Sequence, residues 1–242
     1  DLVGGGIFDN DFYTRLVVAF EKRVISDGHE FILGSFTHKS MPIAMWDRLD
    51  VVVLTGITAE TGLDPLAETS SQVAIIDMTL DGLPYHAYRI DFEPAFRQLF
   101  DSVSGEPRSF LYLDSSIRSR EQAMRLEAFQ RICRQSGTPH RLEVIPVNQE
   151  TGADDTAALE RELADFRPDY VCGYIHHAWV PLIARRAAGP VKVFPYALDA
   201  KKSSFSVRSD DWMRQVLHSI YDNLDNRRAE PRVLSFPASF RP

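Results

Sequence analysis

The sequence predicts an α/β protein built on parallel sheet, and three observations carry that prediction. Short continuous runs of Val, Ile, Leu and Phe suit strands buried on both faces, as in a parallel sheet. Longer amphipathic stretches alternate with them, which gives βαβ units. Stop signals fall where those helices should end: Gly28 and Gly137 stand as C-cap residues would, and Pro168 closes another.

In chain order, strands are expected at 2–8, 30–34, 50–54, 72–76, 109–113, 141–145, 170–173 and 191–195. Helices are expected at 11–27, 92–103, 119–135, 153–166, 177–187 and 209–224. Asp154 and Asp155 open one of them, where negative charge near a helix N-terminus is favourable. "SGEPR" at 104–108 is the strongest candidate junction in the first half.

With 242 residues, the chain can form one large domain or two closely joined lobes. Apolar residues at 44% and charged residues at 25% are ordinary for a globular protein. A net charge of −7 argues against a nucleic-acid surface as the main feature of this piece. No apolar run reaches the roughly 18 residues that span a membrane, so no membrane partner is expected. Cys133 and Cys172 read as buried thiols in a reducing compartment. The opening "DLVGGGIF" has neither a basic start nor an initiator Met, and reads as a trimmed N-terminus without a signal peptide.

In open α/β sheets, ligands sit outside the carboxyl ends of the strands. Those ends carry "FDNDFY" (8–13), "SFTHK" (35–39), Thr55, "DMTLDG" (77–82), "RIDFE" (89–93), "DSSIRSR" (114–120), "YIHHAW" (174–179) and "PYALDAKK" (195–202). Acids, hydroxyls, an arginine, histidines and aromatics thus converge on one rim, which suits a small polar molecule with apolar faces.

Several chemistries fail their motif. "GGGIFDN" lacks the third glycine of a dinucleotide fingerprint, and a Walker A loop is absent, so no cofactor is expected. His176 and His177 are adjacent and would point about 100° apart on a helix, so no metal is expected either. There is no G-x-S-x-G elbow. Asp77, Asp91 and Asp199 could act as acids or bases, but carboxylates at strand ends more often bind hydroxyls or cap helices. The expectation is a protein that is not an enzyme.

Arg125 is the odd residue. It stands four before Phe129 and seven before Ile132, on or beside an apolar helical stripe. Either its stem packs while the head reaches solvent, or its planar fork faces a ligand cleft. Phe12 and Tyr13 are similarly open between core and stacking wall, and His176, Trp179 and Tyr196 between core and surface.

Taken in order, these pieces resemble the effector-binding domain of the lactose-repressor (LacI/GalR) family. "FDNDFYTRLVVAFEKRVISDGHEFILGS" is similar to that family's opening strand, "NPFF"-like loop, helix and second strand. "YRIDF" resembles its "V-x-x-D-N" strand end, and "RLEAFQRICRQSG" its "R-x-x-G-F" helix, with Glu127–Ala128 where "x-G" is usual. "ELADFRPDYVCGYIHHA" resembles its "P-D-A-V-F-x-x-N-D" segment, and "VRSDDWMRQVLHSIYDNLDNRRAEPRVLSFPASFRP" its final helix and closing strands. The resemblance implies a type I periplasmic-binding-protein-like fold: two lobes, each a parallel-sheet α/β sandwich, with a ligand cleft between them. It implies residues 1–106 with 205–224 in the N-terminal lobe, and 107–204 with 225–242 in the C-terminal lobe.

The same resemblance implies a ligand set. Arg125 would point into the cleft and hold the effector. Asn10, Phe12 and Tyr13 would line the N-terminal lobe's wall, with Asp91 on the hinge side and Asp199 at the acid after a late strand. Ser35, Thr55, His176, Trp179 and Tyr196 complete the expected ligand-binding residues, from their places on the rim. Ile175, His176 and His177 replace the usual "N-D" pair, and the loop after Asp199 is short, so the effector need not be a simple hexose. By resemblance the protein is a cytoplasmic homodimeric transcription regulator. It would bind a small-molecule effector, and operator DNA only through an N-terminal helix-turn-helix not found in this sequence. A periplasmic solute-binding protein shares the fold, and an α/β enzyme using Asp91 and His176 is the rival of another class.

Overall fold

The structure, a computed structural model, describes residues 11–36, 41–56, 62–77, 84–115, 120–147, 154–225 and 230–242. The strand expected at 2–8 and Asn10 lie outside them.

The first sheet holds β1 (Val51–Leu54), β2 (Gln72–Ile76), β3 (His86–Asp91) and β9 (Val233–Pro237), in that order and all parallel. β2 is buried along nearly its whole length, as its unbroken "VAII" run requires. On this lobe lies α1 (Asp11–Ser26), which turns Phe12, Tyr13, Leu16, Phe20 and Val24 inward at helical spacing. It packs against α7 (Ser209–Asp225). The short α2 (Ile43–Trp46) buries Trp46 in a smaller cluster with Val52, Leu54 and Leu66.

The second sheet runs β10–β8–β7–β6–β4–β5. Its strands are β4 (Ser109–Ser115), β5 (Arg141–Val147), β6 (Tyr170–Gly173), β7 (Lys192–Leu198), β8 (Ser204–Val207) and β10 (Ser239–Arg241). All pairs are parallel except β10 with β8. Its helices are α3 (Glu93–Ser102), α4 (Arg120–Gln135), α5 (Asp154–Asp165) and α6 (Trp179–Arg186). Gly173 ends β6 at φ 107, and a Cβ there would lie 2.4 Å from the Leu113 carbonyl oxygen. That close approach is why this position is glycine.

The expected helices are present, but two strand expectations change. Residues 30–34 form no strand: Ile32 and Leu33 are 61% and 47% exposed, and only Phe31 packs inward, on Phe20. β3 and β8 arise where continuous apolar periodicity gave no strand, since polar residues interrupt "HAYRID" and "SFSV". β8 is nonetheless buried at all four positions, its serines included, because β7 and β10 flank it.

"SGEPR" is a turn inside the second lobe, because α3 before it packs on α4 and β10. Phe96 of α3 meets Phe129 at 5.2 Å and Phe205 at 5.1 Å, so burial of those rings draws the helix across. The chain passes between the sheets at Phe92, between β8 and α7 at Arg208, and between β9 and β10 at Ala238. β8 therefore belongs with the second sheet and β9 with the first. Two of these passages are tied directly, with Ala238 N–H donating to the Asp91 carbonyl at 2.8 Å.

Candidate ligand cleft

An open hollow of about 420 Å³, the solvent at its mouth included, lies where the lobes face each other beside the Asp91–Phe92 passage. Asp77, Asp91 and Phe92 line it from the first lobe's strand ends and the hinge, and Glu121, Met124 and Arg125 from α4. Its place matches the rule that ligands lie beyond the carboxyl ends of parallel strands.

Arg125 is at its centre, and its head does not reach solvent. The residue is 7% exposed, and its Nη2 donates to Asp77 Oδ1 at 2.6 Å. Its guanidinium carbon lies 4.7 Å from the Phe92 ring centroid, 5.1 Å from that of Tyr196 and 5.9 Å from that of Phe12. Such ring faces attract a cation. The stripe position that looked wrong for arginine is thus an inter-lobe one: stem on α4, charge against a carboxylate of the opposite lobe.

Asp77 follows β2 at φ 67, a left-handed conformation that short polar residues tolerate best. It is 2% exposed, and its Oδ2 has no hydrogen-bond partner among the described residues. Burial raises its pKa against the pull of Arg125 and the Tyr13 hydroxyl. Burial works to lower that of Arg125, but Asp77 and Glu121 beside it raise it overall, so it stays charged.

A second inter-lobe bond runs beside the first. Tyr13 Oη, on α1, donates to Glu121 Oε1, on α4, at 3.1 Å, and both residues are buried. Burial, then Glu121 and Asp77, hold the Tyr13 phenol well above its ordinary pKa, so it remains a donor. Tyr196, whose ring lies under the Arg125 guanidinium, shares a 2.6 Å hydrogen bond with Tyr112.

Of the expected ligand residues, the structure brings together Phe12, Tyr13, Asp91, Arg125 and Tyr196. Asp91 lines the hollow and accepts the Glu93 N–H at 3.0 Å, which ties down the turn that leads into α3. Others stand elsewhere. Ser35 is exposed, and Thr55 is half-buried with a hydroxyl that finds no partner among the described residues. His176 accepts the Ala178 N–H on its Nδ1 at 3.2 Å, and its ring lies tilted against that of His177, 4.1 Å between centroids. Trp179 is a core residue, 5% exposed with Leu159 and Ile183, because α6 turns its apolar face to the sheet. Asp199 is spent on the chain itself, accepting the Ser209 N–H at 2.8 Å and the Ser209 hydroxyl, which fixes the start of α7. None of these five lines the hollow; of the first group Asp91 and Arg125 line it, while Phe12, Tyr13 and Tyr196 stand behind Arg125.

Asp77, Glu121 and Phe92 were not among the expected ligand residues. Glu121 stands four before Arg125, on the same helical face, and that spacing was the available signal. Asp77 is legible only as an acid at a strand end. Among the described residues, no group of three or more His, Cys, Asp or Glu is placed to hold a metal ion, and no helix is long and apolar enough to cross a membrane.

In fold, this two-lobe architecture is similar to solved structures described as LacI-family transcriptional regulators and periplasmic-binding-protein-like repressors. One similar structure is a LacI-family transcriptional regulator from Enterococcus faecium with bound ribose: TM-score 0.75, 15% identity, covering 96% of this chain and 93% of that one. Another is the Cra transcriptional dual regulator from Pseudomonas putida in complex with fructose 1-phosphate, with TM-score 0.73, 15% identity and coverage of 96% and 94%. A third, a periplasmic binding protein/LacI transcriptional regulator from Alkaliphilus metalliredigens complexed with D-xylulofuranose, has TM-score 0.69, 11% identity and coverage of 96% and 93%. No protein-family model matches this sequence, and neither does any curated protein sequence.

Proposed function

We propose that this chain is the effector-sensing domain of a LacI-type transcription regulator, binding a small sugar-like molecule between its lobes. The observation that carries the reading is the buried Arg125–Asp77 pair: one lobe's cation reaches the other lobe's carboxylate across a solvent-open hollow. A ligand inserted there exchanges those contacts for its own and so prefers one lobe spacing over another. That differential affinity is what shifts a two-state equilibrium. In the proposed regulator the chain is a cytoplasmic homodimer, and lobe spacing sets the separation of DNA-binding heads supplied by a segment outside this chain. The ligand leaves unchanged, as a sensor requires and an enzyme does not. The sugar-bound neighbours of the same fold support the ligand class.

The test is a thermal-shift screen against sugars, sugar phosphates and nucleosides, run beside Arg125→Ala and Phe92→Ala, with circular dichroism to verify folding. A ligand at a hundredfold excess over its Kd should stabilise the protein by roughly 2.7 kcal/mol. Loss of that shift in folded variants supports the cleft. A shift that survives both, or turnover of the bound compound, overturns the reading.

A further inference from the structure

Resting on that reading, we infer that the effector carries a protonated amine, which the cleft takes up at Asp77 Oδ2. Asp77 is 2% exposed and lines the hollow; Arg125 donates to its Oδ1, and its Oδ2 finds no hydrogen-bond partner among the described residues. A buried carboxylate oxygen without a donor is costly, and a donor supplied by the ligand removes that cost.

The surrounding charge selects the kind of donor. Glu121, 4% exposed, and half-buried Asp91 line the same hollow. Arg125 is the one nine-tenths-buried cation among the described lining residues; its Nη2 is on Asp77 and its face lies against Phe92 and Tyr196. Arg89, at the edge, turns its Nε to Ser235 Oγ at 2.7 Å. A phosphate or carboxylate placed at Oδ2 would face Asp77, Glu121 and Asp91 together. A neutral hydroxyl would satisfy the hydrogen bond but leave the carboxylates' charge in place. An ammonium does both: it makes the charge-assisted hydrogen bond that a hydroxyl also makes to a carboxylate, and adds a full opposite charge beside it. The hollow therefore discriminates between two sugars that differ only in an amino group.

The experiment is calorimetric titration at pH 7 with matched series on hexose, pentose, polyol and nucleoside scaffolds. Each series has an amine, a hydroxyl and a phosphate member, for example glucosamine, glucose and glucose 6-phosphate. The amine member should bind about tenfold tighter than its hydroxyl partner, about 1.4 kcal/mol. Asp77→Asn keeps an acceptor for Arg125 and suits the left-handed backbone, but places an amide donor against the ammonium. It should abolish the preference while sparing residual hydroxyl-member binding. Should that variant not fold, Glu121→Gln should reduce the preference in the same direction. Hydroxyl or phosphate members that bind as tightly as amines, with binding lost in Phe92→Ala, overturn the amine and leave the sensor reading intact. An amine preference unchanged in folded Asp77→Asn also overturns it. If no member of any series binds, the sensor reading falls together with the amine.

Discussion

A guanidinium enclosed by three aromatic rings and one carboxylate is held by the sum of its neighbours, so removing a single partner is costly. Arg125→Ala leaves Asp77 buried and unpaired, and should destabilise by about 3–5 kcal/mol. The double variant Arg125→Met with Asp77→Asn should recover much of that, because the pair's value lies largely in mutual neutralisation. Urea unfolding of the two single variants and the double variant measures both effects. Asp77 also makes a pH prediction. Burial raises its folded pKa, so its contribution to stability is fully present below the ordinary carboxylate value and is lost as pH rises through the folded value. The stability of the wild type relative to Asp77→Asn should accordingly fall across that window and level off above it. Melting temperatures of both proteins from acid to neutral pH read this out, and a relative stability that rises instead would mean Arg125 outweighs desolvation.

Among the elements, α3 decides where the lobes divide. Its polar start is conventional: Glu93 in the first turn, Pro94 beside it and Asp91 accepting the Glu93 N–H. Its buried face, with Ala95, Phe96, Leu99 and Phe100, is drawn to the second sheet by the rings waiting there. Phe96→Ala should cost about 3–5 kcal/mol in denaturant unfolding, as full truncation of a buried ring does. β6 is the second sensitive element. Gly173→Ala forces a side chain into left-handed backbone against the Leu113 carbonyl, and should cost about 1–3 kcal/mol from backbone strain alone. The same denaturation assay tests it. Helix positions were legible because their apolar stripes repeat over several turns and end at Gly28, Gly137 and Pro168. β8 was not, since its "SFSV" is buried by its sheet neighbours and not by its own hydrophobicity.

For the whole molecule, two buried hydrogen bonds, Arg125–Asp77 and Tyr13–Glu121, join the lobes. The largest apolar cluster runs through both lobes, from Phe12 and Tyr13 through Phe96 and Phe129 to Phe205 and Phe236, and α1 touches β7. Releasing Arg125–Asp77 and Tyr13–Glu121 together, in Asp77→Ala with Tyr13→Phe, should let the lobes part about the passages at Phe92, Arg208 and Ala238. Small-angle scattering should then show a radius of gyration above the roughly 18 Å of a compact chain of this length. A cleft ligand should bring the wild type and the variant closer together. An unchanged radius in the folded variant would place the holding force in the apolar cluster.

The long helices and the apolar strands were set by local pattern, and with them the α/β class, the polar rim and the oddity of Arg125. What pattern could not decide was pairing across the lobes. Asp77 and Arg125 stand far apart in the chain, and only closure of two sheets brings a strand-end acid over a helix-face guanidinium. Trp179 and Asp199 fell the other way: each looked available on the rim, and tertiary packing committed one to the core and the other to the start of α7. Periodicity reports which face of an element is apolar, because that depends on a residue's neighbours along one helix or strand. Which polar groups meet depends on how whole lobes close, and no local pattern encodes that.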